Sequence, residues 1–114
     1  MRIYRVSGMS MLPSMAAGDL LLVVRPPSRL SRGDLVIVVG PGDPGGRYVK
    51  RVVGLPEEEV RLSDGVVFVD DRELPEPYLG GLPASPWLAQ GVWHLGQDEY
   101  FVMGDNRAHS TDSR

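Results

Sequence analysis

No cysteine occurs in the 114 residues, which excludes disulfides, a thiol nucleophile and thiolate zinc sites while leaving the redox compartment open. Histidine is nearly as scarce. The two present, His94 and His109, argue against a His-rich metal centre, and neither a metal nor another cofactor is expected. A basic surplus is also missing: 12 Lys+Arg stand against 15 Asp+Glu, a formal net charge of −3, so nucleic acid is not the expected partner. No apolar run approaches the ~20 residues that span a bilayer, and the first nine residues are too short and too broken for a secretory signal. The chain as written is therefore expected neither to cross a membrane nor to carry its own export signal. What remains is 42% hydrophobic and 24% charged, the balance of a globular chain. Its length suits one domain, burying roughly 65% of the unfolded surface.

Fourteen Gly and ten Pro interrupt the chain too often for long helices. Between them lie the apolar, mostly β-branched runs Leu20–Val24, Leu35–Val39, Val49–Val53, Val66–Val69 and Tyr100–Met103, each of which predicts a strand. Ser63-Asp64-Gly65 predicts a hairpin turn joining Glu59–Leu62 to Val66–Val69. Asp70-Asp71 predicts a second turn, leading into Arg72-Glu73-Leu74. Residues 41–46 read as a Pro/Gly loop, and Pro75–Gln97, with Trp87 and Trp93, as an irregular excursion across the sheet. The echo Gly18-Asp19-Leu20 and Gly33-Asp34-Leu35 reads as two turn-into-strand units, not as a solenoid repeat. The expectation is one mostly β domain.

Three segments could carry chemistry. In Ser7-Gly8-Met9-Ser10-Met11-Leu12-Pro13-Ser14-Met15, Ser10 is either a turn residue among core methionines or a hydroxyl presented on a tight turn beside backbone N–H groups, as an acyl-transfer nucleophile requires. In Tyr48-Val49-Lys50-Arg51-Val52-Val53-Gly54-Leu55-Pro56, a strand puts Lys50 on one face with Tyr48 and Val52, and Arg51 on the other with Val49 and Val53. The plain alternative is an edge strand whose charges reach solvent. If one cation faces a dry site, Lys50 is the one able to act as a base, because a desolvated lysine can lose its proton and arginine cannot. The third segment, Gly104-Asp105-Asn106-Arg107-Ala108-His109-Ser110-Thr111-Asp112-Ser113-Arg114, is either a solvated terminal loop or part of a site. A Ser–His–Asp triad on His109 is disfavoured, since neighbours in sequence such as His109 and Ser110 rarely face each other.

Together these segments resemble the type I (leader) signal peptidase family. The resemblance runs over Ser10-Met11-Leu12-Pro13, the Gly18-Asp19 and Gly33-Asp34 strand starts, Lys50–Pro56, Asp98–Met103 and GDNR…SxDSR from Gly104 to Arg114. The first motif alone is shared with self-cleaving SOS-type repressors, and the last separates the two groups. The resemblance implies a mostly β fold of coiled antiparallel sheets with little helix, and residues 1–114 as a single catalytic domain. It further implies Ser10 as nucleophile, neutral Lys50 as general base within ~3 Å of the Ser10 hydroxyl, and Ser110 orienting the amine. Asp105 with Arg51, and Asp112 with Arg114, would be charged pairs holding the walls. The Ser10 N–H would be one oxyanion donor. Gly8 stands where some relatives carry a second, hydroxyl donor.

The implied activity is removal of signal peptides from exported pre-proteins at the outer face of the cell membrane. Members normally carry membrane-spanning helices before the Ser segment and continue beyond the Ser113-Arg114 equivalent, so a domain truncated at one or both ends is expected, with an exposed sheet edge near the last motif. Met9, Met11, Leu12 and Met15 offer a shallow apolar contact with a membrane surface. Two rival readings are a self-cleaving repressor-type domain, which needs a cleavage site and a DNA-binding segment upstream of Ser10, and a catalytically impaired module binding extended peptides by strand addition.

Overall fold

The β-branched runs become strands wherever turn residues let the chain reverse. The computed structural model describes residues 2–39, 46–80 and 90–114; the loop reading at 41–45 and Trp87 lie outside them. Among the described residues the strands are β1 (Arg2–Arg5), β2 (Leu20–Val23), β3 (Leu35–Val39), β4 (Arg47–Gly54), β5 (Glu59–Ser63), β6 (Val66–Val69), β7 (Arg72–Glu73), β8 (Gly91–His94) and β9 (Phe101–Met103). They form three antiparallel sheets, ordered β1-β2, β3-β4-β9 and β7-β6-β5-β8. Among the described residues helix is confined to two 3-10 turns, Pro77–Leu79 and Arg107–His109. The mostly β fold of antiparallel sheets is thus the observed one.

Turn chemistry explains the pairing. Asp64 (φ 50°) and Gly65 (φ 79°) are both left-handed, the conformation that a two-residue hairpin loop needs to match strand twist, and Ser63 faces Val66 across it. Asp70 and Asp71 repeat this at φ 48° and 64°, turning β6 into β7. The Gly-Asp echo is two copies of one device. Asp19 Oδ2 accepts the Ala16 N–H at 2.9 Å, and Asp34 Oδ2 accepts the Ser31 N–H at 2.8 Å, each just before a strand begins.

Two strands lie outside the runs read from sequence. β1 carries an arginine at each end of an Ile-Tyr pair, and β8 lies within the stretch read as an irregular excursion. There Trp93 pairs with Val60 and packs on Phe101, ring centroids 4.9 Å apart. Neighbouring β5 supplied the backbone partners that local composition could not advertise.

The larger core holds Val53, Val60, Leu62, Val67, Phe101 and Met103, tying the end of β4 and β9 to the four-stranded sheet. Only glycine fits at the crossing. A Cβ on Gly54 would stand 2.6 Å from Val60 Cγ2 and 2.9 Å from Phe101 Cβ, and the β4–β9 register shifts there. The smaller core is Val6, Met11 and Met15, with Leu21 and Val49 against it; it docks the Ser10 turn onto β2 and β4. β9 is an edge strand of its sheet, and its backbone is capped at Val102 by the last motif. The Val102 N–H donates to Ser113 Oγ at 3.0 Å, and its carbonyl accepts the Ser113 N–H at 3.2 Å.

Candidate active site

The Ser10 turn is shaped by its neighbours. Gly8 takes φ +78°, a region L side chains avoid. The Leu12 and Met15 N–H groups then close the turn on Met9 O and Met11 O, and the Leu12–Pro13 peptide is cis. Met11 and Met15 point into the smaller core. Of the four residues considered for lipid contact, these two are therefore unavailable, while Met9 is exposed. Ser10 is half-buried. Its carbonyl accepts the Asn106 N–H at 2.8 Å, and the Met9 carbonyl accepts Asn106 Nδ2 at 3.0 Å. The third motif thus grips the first by its backbone.

Lys50 does not sit on an edge. β4 is the middle strand of its sheet, with Val36 opposite Lys50, and the residue is 4% exposed. Val52, on the same face, is fully buried, whereas Tyr48 is 44% exposed, so Tyr48 shields less than its place in the strand suggests. Burial lowers the amine's pKa and Arg114 adds to this, with Asp112 opposing. Lys50 is also the only lysine in the chain; every other basic side chain besides the histidines is arginine. That signal was present in the sequence, and a buried lysine, unlike arginine, can lose its proton.

The amine donates to Ser110 Oγ at 3.0 Å, and Ser110 Oγ donates to Asp112 Oδ2 at 2.8 Å. Asp112 also accepts the Gly104 N–H and two bonds from the Arg114 guanidinium, at 2.7 and 2.8 Å. Burial pushes the Asp112 carboxyl up, but the bonds from Arg114, Gly104 and Ser110 outweigh it and hold the pKa below its ordinary value. The expected bond between Lys50 and the Ser10 hydroxyl is not formed, and among the described residues the Ser10 hydroxyl has no hydrogen-bond partner. The amine instead spends an N–H on Ser110. Because Ser110 commits its own proton to Asp112, it meets the amine as an acceptor, which leaves the lone pair of a neutral amine unused.

Gly104 is the contact point of the two halves. A Cβ there would overlap Ser110 Oγ and stand 2.6 Å from Ser10 O. Behind it, Arg51 Nε and Nη2 hold both oxygens of Asp105 at 2.9 and 2.8 Å, and Ser14 Oγ donates to the same carboxylate at 2.5 Å. Asp105 is 1% exposed. His109 is exposed on its 3-10 turn and has no side-chain partner among the described residues, so a triad on it has no structural support. Reading by motif missed the roles of Ser14, Glu76 and Tyr78, and gave none to Arg107. Arg107 donates Nε to Gly104 O at 2.7 Å and pairs with Glu76.

The family described as "Signal peptidase, peptidase S26" matches residues 1–114. Signal peptidase I of Bacillus licheniformis is 38% identical over 122 aligned residues, covering 97% of this chain and 64% of the relative. Signal peptidase I T of Bacillus subtilis is 37% identical, covering 97% and 62%. The chain therefore spans less than two thirds of these relatives' length. A crystal structure of a signal peptidase I from Enterococcus faecalis superposes with a TM-score of 0.63 at 27% identity, covering 80% of this chain and 86% of that one.

Proposed function

The chain belongs to the signal peptidase (peptidase S26) family, and from that premise we propose that it is a serine endopeptidase that removes signal peptides from exported pre-proteins with Ser10 as nucleophile and neutral Lys50 as general base. The observation that carries this is the chain's single lysine, buried on a central strand and bonded through an N–H to Ser110. In the proposed first half-reaction, Lys50 Nζ takes the Ser10 proton as Oγ bonds to the scissile carbonyl carbon. The resulting ammonium gives that proton to the departing amine as the C–N bond breaks. In the second, water attacks the acyl ester, its proton passes to Nζ, and Ser10 Oγ leaves and is reprotonated. The Ser10 N–H is the proposed donor to the oxyanion. Gly8 brings no hydroxyl to assist it.

Supporting this are the groups around the pair. Ser110 and Asp112 orient the amine, and Arg51–Asp105 holds the loop that grips Ser10. An apolar groove of ≈ 570 Å³, lined by Met15, Leu21, Leu35, Ile37 and Val49 among others, suits apolar side chains of an extended peptide. The outward residues Ile3, Leu20, Leu22 and Val24, each more than 60% exposed, form an apolar face of β1–β2 suited to a membrane surface. No helix among the described residues is long and apolar enough to cross one.

The test is cleavage of a synthetic leader peptide ending in small residues by purified protein. Cleavage at one bond that Ser10→Ala and Lys50→Arg both abolish is expected. Binding of the peptide without cleavage would replace the proposal with the impaired peptide-binding module. Cleavage that survives Ser10→Ala would refute it outright.

A further inference from the structure

A segment outside the recognised motifs touches all three of them. Glu76 is 8% exposed at its side chain and holds the equally buried Arg107 with both oxygens, while Arg107 Nε is fixed to Gly104 O. Tyr78 donates its hydroxyl to Glu76 Oε2 at 2.5 Å. Burial and that bond push the phenol well above its ordinary pKa, so it remains a donor. The Tyr78 ring lies under Arg51, 4.1 Å from guanidinium carbon to ring centroid, and its carbonyl stands 3.3 Å from Ser14 Oγ. Three residues thus meet the Ser10 turn through Ser14, the Lys50 strand through Arg51, and the Gly104 loop through Arg107. Gly104 has no slack, since a Cβ there would overlap Ser110 Oγ and stand 2.6 Å from Ser10 O.

We propose that Glu76–Tyr78 is a positioning element for the site, locking Arg51 and the Gly104–Arg107 loop so that Ser110 stays on the Lys50 amine and water stays out. This rests on the Ser/Lys reading for its effect on rate, but its effect on the amine is separate. Tyr78 fixes the plane of the Arg51 guanidinium by stacking, and that plane sets where the two oxygens of Asp105 can lie. Glu76 neutralises Arg107, whose buried charge would otherwise draw water toward Gly104. Neither residue touches a reacting atom. Both act by holding Arg51 and Arg107, which fix Asp105 and Gly104 next to the Ser10 backbone and Ser110.

The single lysine makes the test direct: protein labelled with 13C,15N-lysine gives one side-chain signal from Lys50. Its titration is followed in wild type, Tyr78→Leu, Tyr78→Phe and Glu76→Gln, with Asp112 and Arg114, the charged groups facing the amine, present in all four. Tyr78→Leu and Glu76→Gln are expected to move the midpoint toward that of a solvated lysine by more than about half a unit. They should also lower kcat on a leader peptide about tenfold or more, with KM within about twofold. Tyr78→Phe keeps the ring and loses the hydroxyl, and should fall between; with Glu76→Gln it carries the test if Tyr78→Leu does not fold. Folded variants with lower melting temperature but an unchanged Lys50 titration would overturn the proposal and leave the segment a merely structural fastening. If wild type fails to cleave, the peptidase reading falls, and the titration still decides this one.

Discussion

Replacing Lys50 by methionine separates a buried neutral amine from a buried ion pair. Folding carries a lysine of ordinary pKa ~10.4 into a site where burial lowers that value. Between the lowered folded pKa and ~10.4 the unfolded chain binds the extra proton, so stability rises with pH, by up to ~1.4 kcal/mol per pH unit. The cost is largest below the folded pKa and vanishes above the unfolded one. Lys50→Met has no such group, and its stability curve should lack this slope. The variant forfeits one hydrogen bond to Ser110, a net loss of about 1 kcal/mol, while Ser110 keeps Asp112 as partner. The measurement is urea unfolding of both proteins from pH 6 to about 9.5, below the range where Tyr78, whose pKa is raised, adds an opposite slope. Wild type should gain on the variant as pH rises, and at pH 7 the variant should be at most about 1 kcal/mol less stable. If the amine were instead charged and paired with Asp112, removing it would cost about 3–5 kcal/mol at pH 7, with parallel curves up to pH 9. That result would refute the neutral-base reasoning.

Gly104→Ala should lower kcat at least about tenfold, because its Cβ forces apart Ser110 Oγ and Ser10 O, with an overpacking penalty of about 1–3 kcal/mol read by denaturant unfolding. Asp105→Ala strands the Arg51 guanidinium, whose side chain is 12% exposed, and should destabilise the fold by about 3–5 kcal/mol, seen as a lower urea midpoint. Asp112 titrates below its unfolded value, so it contributes stability above pH ~3.9 that is lost as pH falls through its folded pKa. Arg114→Met should move that acid loss to higher pH, and an unchanged acid midpoint would count against Arg114 as the controlling partner.

Where chemistry is local, the sequence was legible. The turns at Asp64-Gly65 and Asp70-Asp71, the two Gly-Asp strand starts and the runs of β3 and β6 declare themselves through φ preferences and side-chain branching, which need no distant partner. The members of the site were nameable for a related reason. A hydroxyl on a Gly/Pro turn, one lysine among arginines, and acids beside arginines are each recognisable one residue at a time. β1 and β8 were not legible, because each becomes a strand only when a remote neighbour offers its backbone edge.

Spacing along the chain could not say that β4 lies in the middle of its sheet, and that placement is what buries Lys50 and lowers its pKa. The contact of Ser110 with the amine was expected from the resemblance and is present, whereas nothing in the spacing foresaw that Asn106 would grip the Ser10 backbone. Glu76 and Tyr78 carried no signal of their own, since a carboxylate or a phenol becomes a brace only through what it meets. Residue identity determines which protons can move and which backbone angles are easy. Burial, partner and distance are properties of pairs far apart in sequence, and only the packed chain decides them.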